Sequence, residues 1–171
     1  MEVRGFVEVR TGSGIYVMRH PGDEDMPGYG TTAFEITEAR LVIEGETAAL
    51  AASQITEAEL AEIEGLIADI AHENTDPRGS ARADRRFHLA VARATHNTGL
   101  LDSVTKLWNL RESSVEAALL HEKARTANIK PGVDEHTAIL EALRARDPEA
   151  ARAAMRAHLS AVIDSLLLAA E

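Results

Sequence analysis

The sequence predicts an all-α protein: an antiparallel bundle of six to seven helices preceded by a short β-hairpin. Three observations carry this. Only 4% of the residues are aromatic, while Ala, Leu, Glu and Arg, which favour helix, dominate the chain. From Ala33 onward every segment carries helix-starting or helix-ending signals, and the connections are short, which makes sequential helices antiparallel neighbours. Residues 5–18 differ in kind from all that follows.

That front stretch holds two β-prone runs, Gly5–Arg10 and Ile15–Met18. Thr11-Gly12-Ser13-Gly14 joins them in the pattern of a hairpin. A lone hairpin is barely stable in water, so it is expected to dock on something. Residues 21–32 are rich in Pro, Gly and acidic side chains and are expected to be a linker. The expected organisation is therefore 1–20, 21–32 and a helical domain over 33–171.

The first helix is expected over Phe34–Ser53. Thr56-Glu57-Ala58-Glu59 is a capping box that opens a second helix running to about Glu73. Asn74–Gly79 breaks the chain. A third helix, about Ser80 to His96, carries Asp84 and His88. Asn97-Thr98-Gly99 is a short break before a long fourth helix, Leu100 to about Glu122, with Trp108 inside it. Lys123–Lys130 is a weaker segment. Pro131 suits the first turn of the next helix, which carries His136 and ends near Arg146. Asp147-Pro148 restarts the chain with an N-cap and a first-turn proline. The last helix runs to about Ala170 and carries His158.

Composition excludes several classes. There is no cysteine among the 171 residues, hence neither a disulfide framework nor a thiolate metal site, which fits the cytoplasm. No uninterrupted apolar run approaches the ~20 residues that cross a bilayer, so no membrane partner is expected. The net charge is −10. Arg4, Arg10 and Arg19 against Glu2 and Glu8 put +1 on residues 1–20, which leaves −11 on the rest. Such an acidic body repels phosphate, so any DNA contact must come from the front end or from residues beyond it.

Asp84 and His88, four apart, share one helix face. With His136 and His158 on later helices they form a borderline-hard set of one carboxylate and three imidazoles. Such a set suits zinc first, and also nickel, manganese or iron. The bland alternative is four polar core residues. The other histidines are assigned elsewhere: His20 to the linker, and His72, His96 and His121 to positions near helix ends, where an imidazole can serve the last carbonyls. Arg40 and Arg111 each have two readings, a solvated charge or a guanidinium turned inward to offer a fork to a carboxylate.

Taken in order, these motifs resemble the GntR-type transcription regulators of the FadR subfamily, and specifically their C-terminal ligand-binding FCD domain. The resemblance covers about residues 33–165. It rests on Glu38-x-Arg40-x-x-x-Glu44 with the alanines through Ala52, on Asp84-x-x-Phe87-His88 followed by Ala94-Thr95-His96-Asn97, on His136 with Ile139, Leu140 and Ala142, and on Asp147, Ala151, Met155 and His158. The front hairpin is similar to the wing of that family's winged helix-turn-helix, which assigns DNA contacts to Arg10, Thr11, Gly12 and Ser13. The helices that precede the wing in that family, including the recognition helix, do not appear in the sequence. Tight operator binding is therefore expected of the full-length protein and not of these residues alone.

The resemblance implies that Asp84, His88, His136 and His158 hold a divalent transition metal. It also implies a small organic acid as effector, with Arg40, Asn97 and Arg111 around it, Asn97 being read first as a cap and then as a ligand, and a homodimer that presents two DNA-binding domains. Two readings of another class stay open: a metal-dependent hydrolase-like enzyme, and a metal-free structural helical dimer.

Overall fold

The computed structural model describes residues 7–10, 14–17, 31–75, 82–126 and 132–170. The chain falls into two compact units, Met1–Thr31 and Thr32–Glu171.

The first unit contains an antiparallel hairpin, β1 (Val7–Arg10) and β2 (Gly14–Val17). Val7 pairs with Val17 and Arg10 with Gly14. Thr11, Gly12 and Ser13, the expected DNA-contacting loop, and residues 21–30 of the expected linker lie outside the described residues.

The second unit is a helical bundle. Helix α1 (Ala33–Gln54) opens with a capping box: the Glu35 amide donates to Thr32 Oγ1 at 3.1 Å, and the Thr32 amide donates to Glu35 Oε2 at 2.8 Å. These bonds satisfy amides that a helix start otherwise leaves unpaired. α2 (Glu57–Glu73) opens the same way on Thr56 and Glu59, as its sequence predicts. Its buried Leu60, Ile63, Leu66, Ile67 and Ile70 form one apolar stripe at 3–4 residue spacing.

α3 (Arg82–Arg93) buries Ala83, Asp84, Phe87, His88, Ala90 and Val91. It stops short of the expected end at His96. The Thr95 hydroxyl turns back to donate to the Ala92 carbonyl, and His96 adopts a left-handed φ of 52°.

The long fourth helix expected from the sequence is two helices, α4 (Thr98–Ser113) and α5 (Val115–Thr126). Ser114 makes the break. It takes extended geometry, and its Oγ accepts the Ala117 amide at 3.3 Å, as an N-cap does. The serine pair at 113–114, followed by Glu116 in the first turn, is a local signal for this start that the apolar pattern conceals.

α6 (Val133–Arg144) follows Gly132, and α7 (Pro148–Ala170) follows Asp147, whose Oδ1 accepts the amides of Glu149 and Ala150. α7 has the length and composition to cross a membrane, which the reading of uninterrupted apolar runs does not register. It nonetheless carries Arg152, Arg156, His158 and Asp164, and it packs along α1.

α1 is the axle of the bundle, with α3, α4, α5, α6 and α7 all packed against it. Its contact with α7 is antiparallel: Ala33 and Ile36 cluster with Leu166 at one end, and Glu46 grips Arg152 through two bonds of 2.8 and 2.9 Å at the other. The close approach depends on small residues. Ala48, Ala51 and Ala52 are buried, and a Cβ on Gly45 would meet Arg156 Cγ at 2.9 Å. The main core joins α1, α2, α3, α6 and α7 through Ile63, Phe87, Ile139, Leu143, Met155 and Leu159. Each such side chain contributes roughly 1.5–3 kcal/mol on burial.

Candidate metal centre

Three helices bring the quartet together. α3 supplies Asp84 and His88 one turn apart, α6 supplies His136, and α7 supplies His158. All four are buried, and one ligand atom from each lies within 4.8 Å of the others. The imidazole rings face one another, with centroids 4.4 Å apart for His136 and His158 and 5.2 Å for His88 and His158.

The outer nitrogens explain how this packing is held. His88 Nδ1 lies against Glu44 Oε2. His136 Nδ1 donates to the Gly132 carbonyl at 2.7 Å, one turn back on its own helix. His158 Nδ1 donates to Glu135 Oε2 at 2.7 Å. Each histidine thus has its Nδ1 pinned by an oxygen, which fixes the ring and turns the other nitrogen away from that oxygen. His136 Nε2 sits 3.1 Å from Asp84 Oδ1, and His88 Nε2 sits 3.5 Å from the same oxygen. His88 Nε2 is buried with no hydrogen-bond partner among the described residues. An oxygen behind each imidazole is the arrangement that orients metal-binding histidines. Hence the donor chemistry fits a divalent transition ion.

The electrostatics agree with a cation-seeking site. Burial raises the Asp84 carboxyl, but its close contacts with the His136 and His88 imidazoles outweigh it and hold Asp84 well below its usual value. Burial also opposes the ionised form of Glu44, yet Arg40 and His88 bring it down to about 2. Burial pushes His88 down, and the neighbouring Glu44 and Asp84 carboxylates carry it above its ordinary value. Burial, helped by the charges of His88 and His136, lowers His158 to about 4, so it is a neutral imidazole.

Arg40 is only 2% exposed. Its Nε donates to Glu44 Oε1 at 2.6 Å, its guanidinium carbon lies 4.1 Å from the Trp108 ring centre, and its Nη2 is buried without a partner among the described residues. The inward reading of Arg40 is the one its placement favours. Arg111 also stacks on Trp108, at 4.6 Å.

Asn97 sits at the start of α4. It is exposed and caps α4, its Oδ1 accepting the amides of Gly99 and Leu100 at 3.0 and 3.2 Å. His96 is on the surface beside Glu59, and His72 is exposed. His121 departs from its expected position at a helix end: it lies in the body of α5, with Nε2 closed off from solvent.

Sequence reasoning missed four residues here. Glu44 was legible as a member of the Glu38-x-Arg40-x-x-x-Glu44 motif, but not as the partner of His88. Glu135 had a weak signal, adjacency to His136. Trp108, 5.3 Å from the His88 ring, and His121 carried no signal beyond residue type.

The FCD domain model matches residues 35–161. The chain is 35% identical over 170 residues to the Exu regulon transcriptional regulator of Escherichia coli K12, covering 93% of this chain and 63% of that protein. It therefore spans less than two thirds of that relative's length. The Uxu operon transcriptional regulator of the same organism is 34% identical over 176 residues, covering 98% of this chain and 68% of that protein. The solved structure of Streptococcus agalactiae GntR superposes with a TM-score of 0.63 at 26% identity, covering 93% of this chain and 74% of that one.

Proposed function

This chain belongs to the FCD-domain family of GntR-type transcription regulators, and on that premise we propose that its helical domain is a sensor in which a bound divalent metal receives a small carboxylate effector. The observation that carries the proposal is the convergence of three imidazoles, each pinned through Nδ1, on the Asp84 carboxylate.

Asp84, His88, His136 and His158 would hold the ion, with Glu44, Glu135 and the Gly132 carbonyl keeping the rings in register. When bound, the cation supplies Lewis-acid positions for a carboxylate. Arg40, with its Nη2 unpartnered, offers a charge-assisted hydrogen bond to the same acid. An acid bridging residues of α1, α3, α6 and α7 favours one packing of the bundle over another. It can shift that balance only by its differential affinity for the two states. In the full-length, cytoplasmic homodimer this shift would reposition two DNA-binding domains and change operator affinity, with the hairpin loop at Arg10, Thr11, Gly12 and Ser13 touching DNA as a wing.

The domain is proposed as a sensor and not an enzyme. Glu44 and Glu135, the glutamates in contact with the quartet's imidazoles, are both occupied in holding them, so neither is placed as a general base.

Elemental analysis of protein purified without a metal column, before and after dialysis against a chelator and with melting curves alongside, tests the proposal. About one equivalent of transition metal, with stability lost on its removal, is the expected result. No bound metal, and no stabilisation by zinc, nickel or manganese, would reduce the quartet to four polar core residues and overturn the metal site.

A further inference from the structure

Three helices of the bundle carry a glutamate at the same place, the third residue after the N-cap: Glu35 in α1, Glu59 in α2 and Glu135 in α6. In α1 and α2 this side chain folds back on a threonine and closes a capping box with Thr32 and Thr56. At the start of α6 the N-cap is Gly132, which has no hydroxyl and makes no side-chain cap. There the glutamate has a different partner. Its Oε2 accepts the Nδ1–H of His158 on α7 at 2.7 Å.

Glycine at this N-cap is not a matter of torsion. Gly132 has φ −71° and ψ 114°, in the same extended region as Thr32 at φ −72° and ψ 161°, and any residue adopts it. What glycine supplies is space. A Cβ on Gly132 would meet Glu135 Cδ at 2.8 Å, with Cγ and Oε1 each at 3.1 Å. A contact under 3.0 Å forces something to shift, and the obstacle here is the far end of a flexible side chain rather than backbone. The helix would therefore hold and Glu135 would yield, although its carboxylate is what fixes His158. The Gly132 carbonyl also accepts His136 Nδ1 at 2.7 Å. One turn at the head of α6 thus serves two of the three imidazoles.

We infer that Gly132 is a positioning residue for the proposed metal site: with neither a hydroxyl nor a Cβ, it keeps Glu135 out of a capping box and leaves that carboxylate to His158. This rests on the metal reading of the quartet. In the boxes of α1 and α2 one carboxylate oxygen takes both the amide and the hydroxyl of the threonine, at 2.7 to 2.9 Å. A threonine at position 132 would compete with His158 for Glu135 in the same way. The effects on helix and metal then have opposite signs: the helix start gains a cap, and the His158 ring loses the oxygen that orients it.

The test measures zinc affinity by competition with a chelating dye, and the melting temperature of the metal-free chain. The proteins are wild type, Gly132→Thr, Gly132→Ser, Glu135→Ala and the double variant of Gly132→Thr with Glu135→Ala. Gly132→Thr and Gly132→Ser should bind zinc about tenfold more weakly or worse, within the range that loss of an outer partner produces. Their metal-free melting temperature should hold or rise, because a hydroxyl N-cap replaces glycine. Glu135→Ala should lose zinc affinity to a similar extent. Adding Gly132→Thr to it should cost nothing more, since no carboxylate remains to be displaced. Wild-type affinity in both Gly132→Thr and Gly132→Ser, or a further loss in the double variant, overturns the role of Gly132 and leaves the metal site standing. So does a metal-free melting temperature that falls together with the affinity, which would make the loss one of folding. No zinc bound by the wild-type chain overturns the metal site itself, and this role with it.

Discussion

The Glu44 carboxylate holds the Nδ1 of His88, while its other oxygen accepts the Nε–H of Arg40 at 2.6 Å. One buried acidic group on α1 thereby links an imidazole of the proposed metal site on α3 to the Arg40 guanidinium.

Glu44→Gln tests this link. The amide keeps the size of the side chain but loses the charge that orients and polarises His88. Metal affinity should fall about 10–100-fold, the usual effect of removing such an outer partner. A competition titration against a chelating dye measures it. An unchanged affinity would remove Glu44 from the site.

His136→Ala and His158→Ala should lose metal and thermal stability together, because the ion stabilises only the folded state. At metal concentrations about 100-fold above Kd, the wild-type chain gains ~2.7 kcal/mol. Both variants should show little of that gain in melting curves with and without zinc. Full metal content in either one contradicts the assignment.

Asn97→Ala separates a cap from a ligand. As the N-cap of α4, Asn97 should cost about 0.5–2 kcal/mol when truncated, seen as a lower urea midpoint. Metal content and acid affinity should not move. Weaker acid binding in the calorimeter would return Asn97 to the effector set.

Phe87 is fully buried, with its ring 4.7 Å from that of His136 in an edge-on arrangement. Phe87→Ala should cost about 3–5 kcal/mol and weaken metal binding as well, since the cavity frees the His136 ring. Urea unfolding of the metal-free form isolates the first effect. A cost under about 1 kcal/mol would mean the site collapses onto the space.

His121 makes a pH prediction. Its folded value of about 3 lies below the ordinary imidazole value of 6.5, so the unfolded chain binds more protons between those values. Its contribution to stability therefore rises with pH across that window, is complete above about 6.5, and is lost as pH falls toward 3. The slope for one proton approaches ~1.4 kcal/mol per pH unit. Unfolding of metal-free wild type and His121→Gln at pH 4, 5, 6 and 7 should show the wild type losing more stability on acidification. Parallel curves would place His121 in solvent.

Much of the bundle was legible because its signals are local. Thr56 with Glu59 and Asp147 with Pro148 announce helix starts within four residues, and the structure uses both pairs as read. The break at Ser114 was not, because the apolar pattern runs through it and a single serine decides the geometry.

By itself the sequence determined the all-α class, most helix boundaries, the family resemblance and the four residues proposed to hold metal, since periodicity, capping and motif order are properties of neighbouring positions. Only the tertiary structure decided which oxygen stands behind each imidazole. Glu44 reaches His88 across 44 residues and Glu135 reaches His158 across 23, and no local pattern reports such pairings. The same holds for Trp108, Arg111 and His121: their unpaired donors become visible only once burial has removed the water that would otherwise satisfy them.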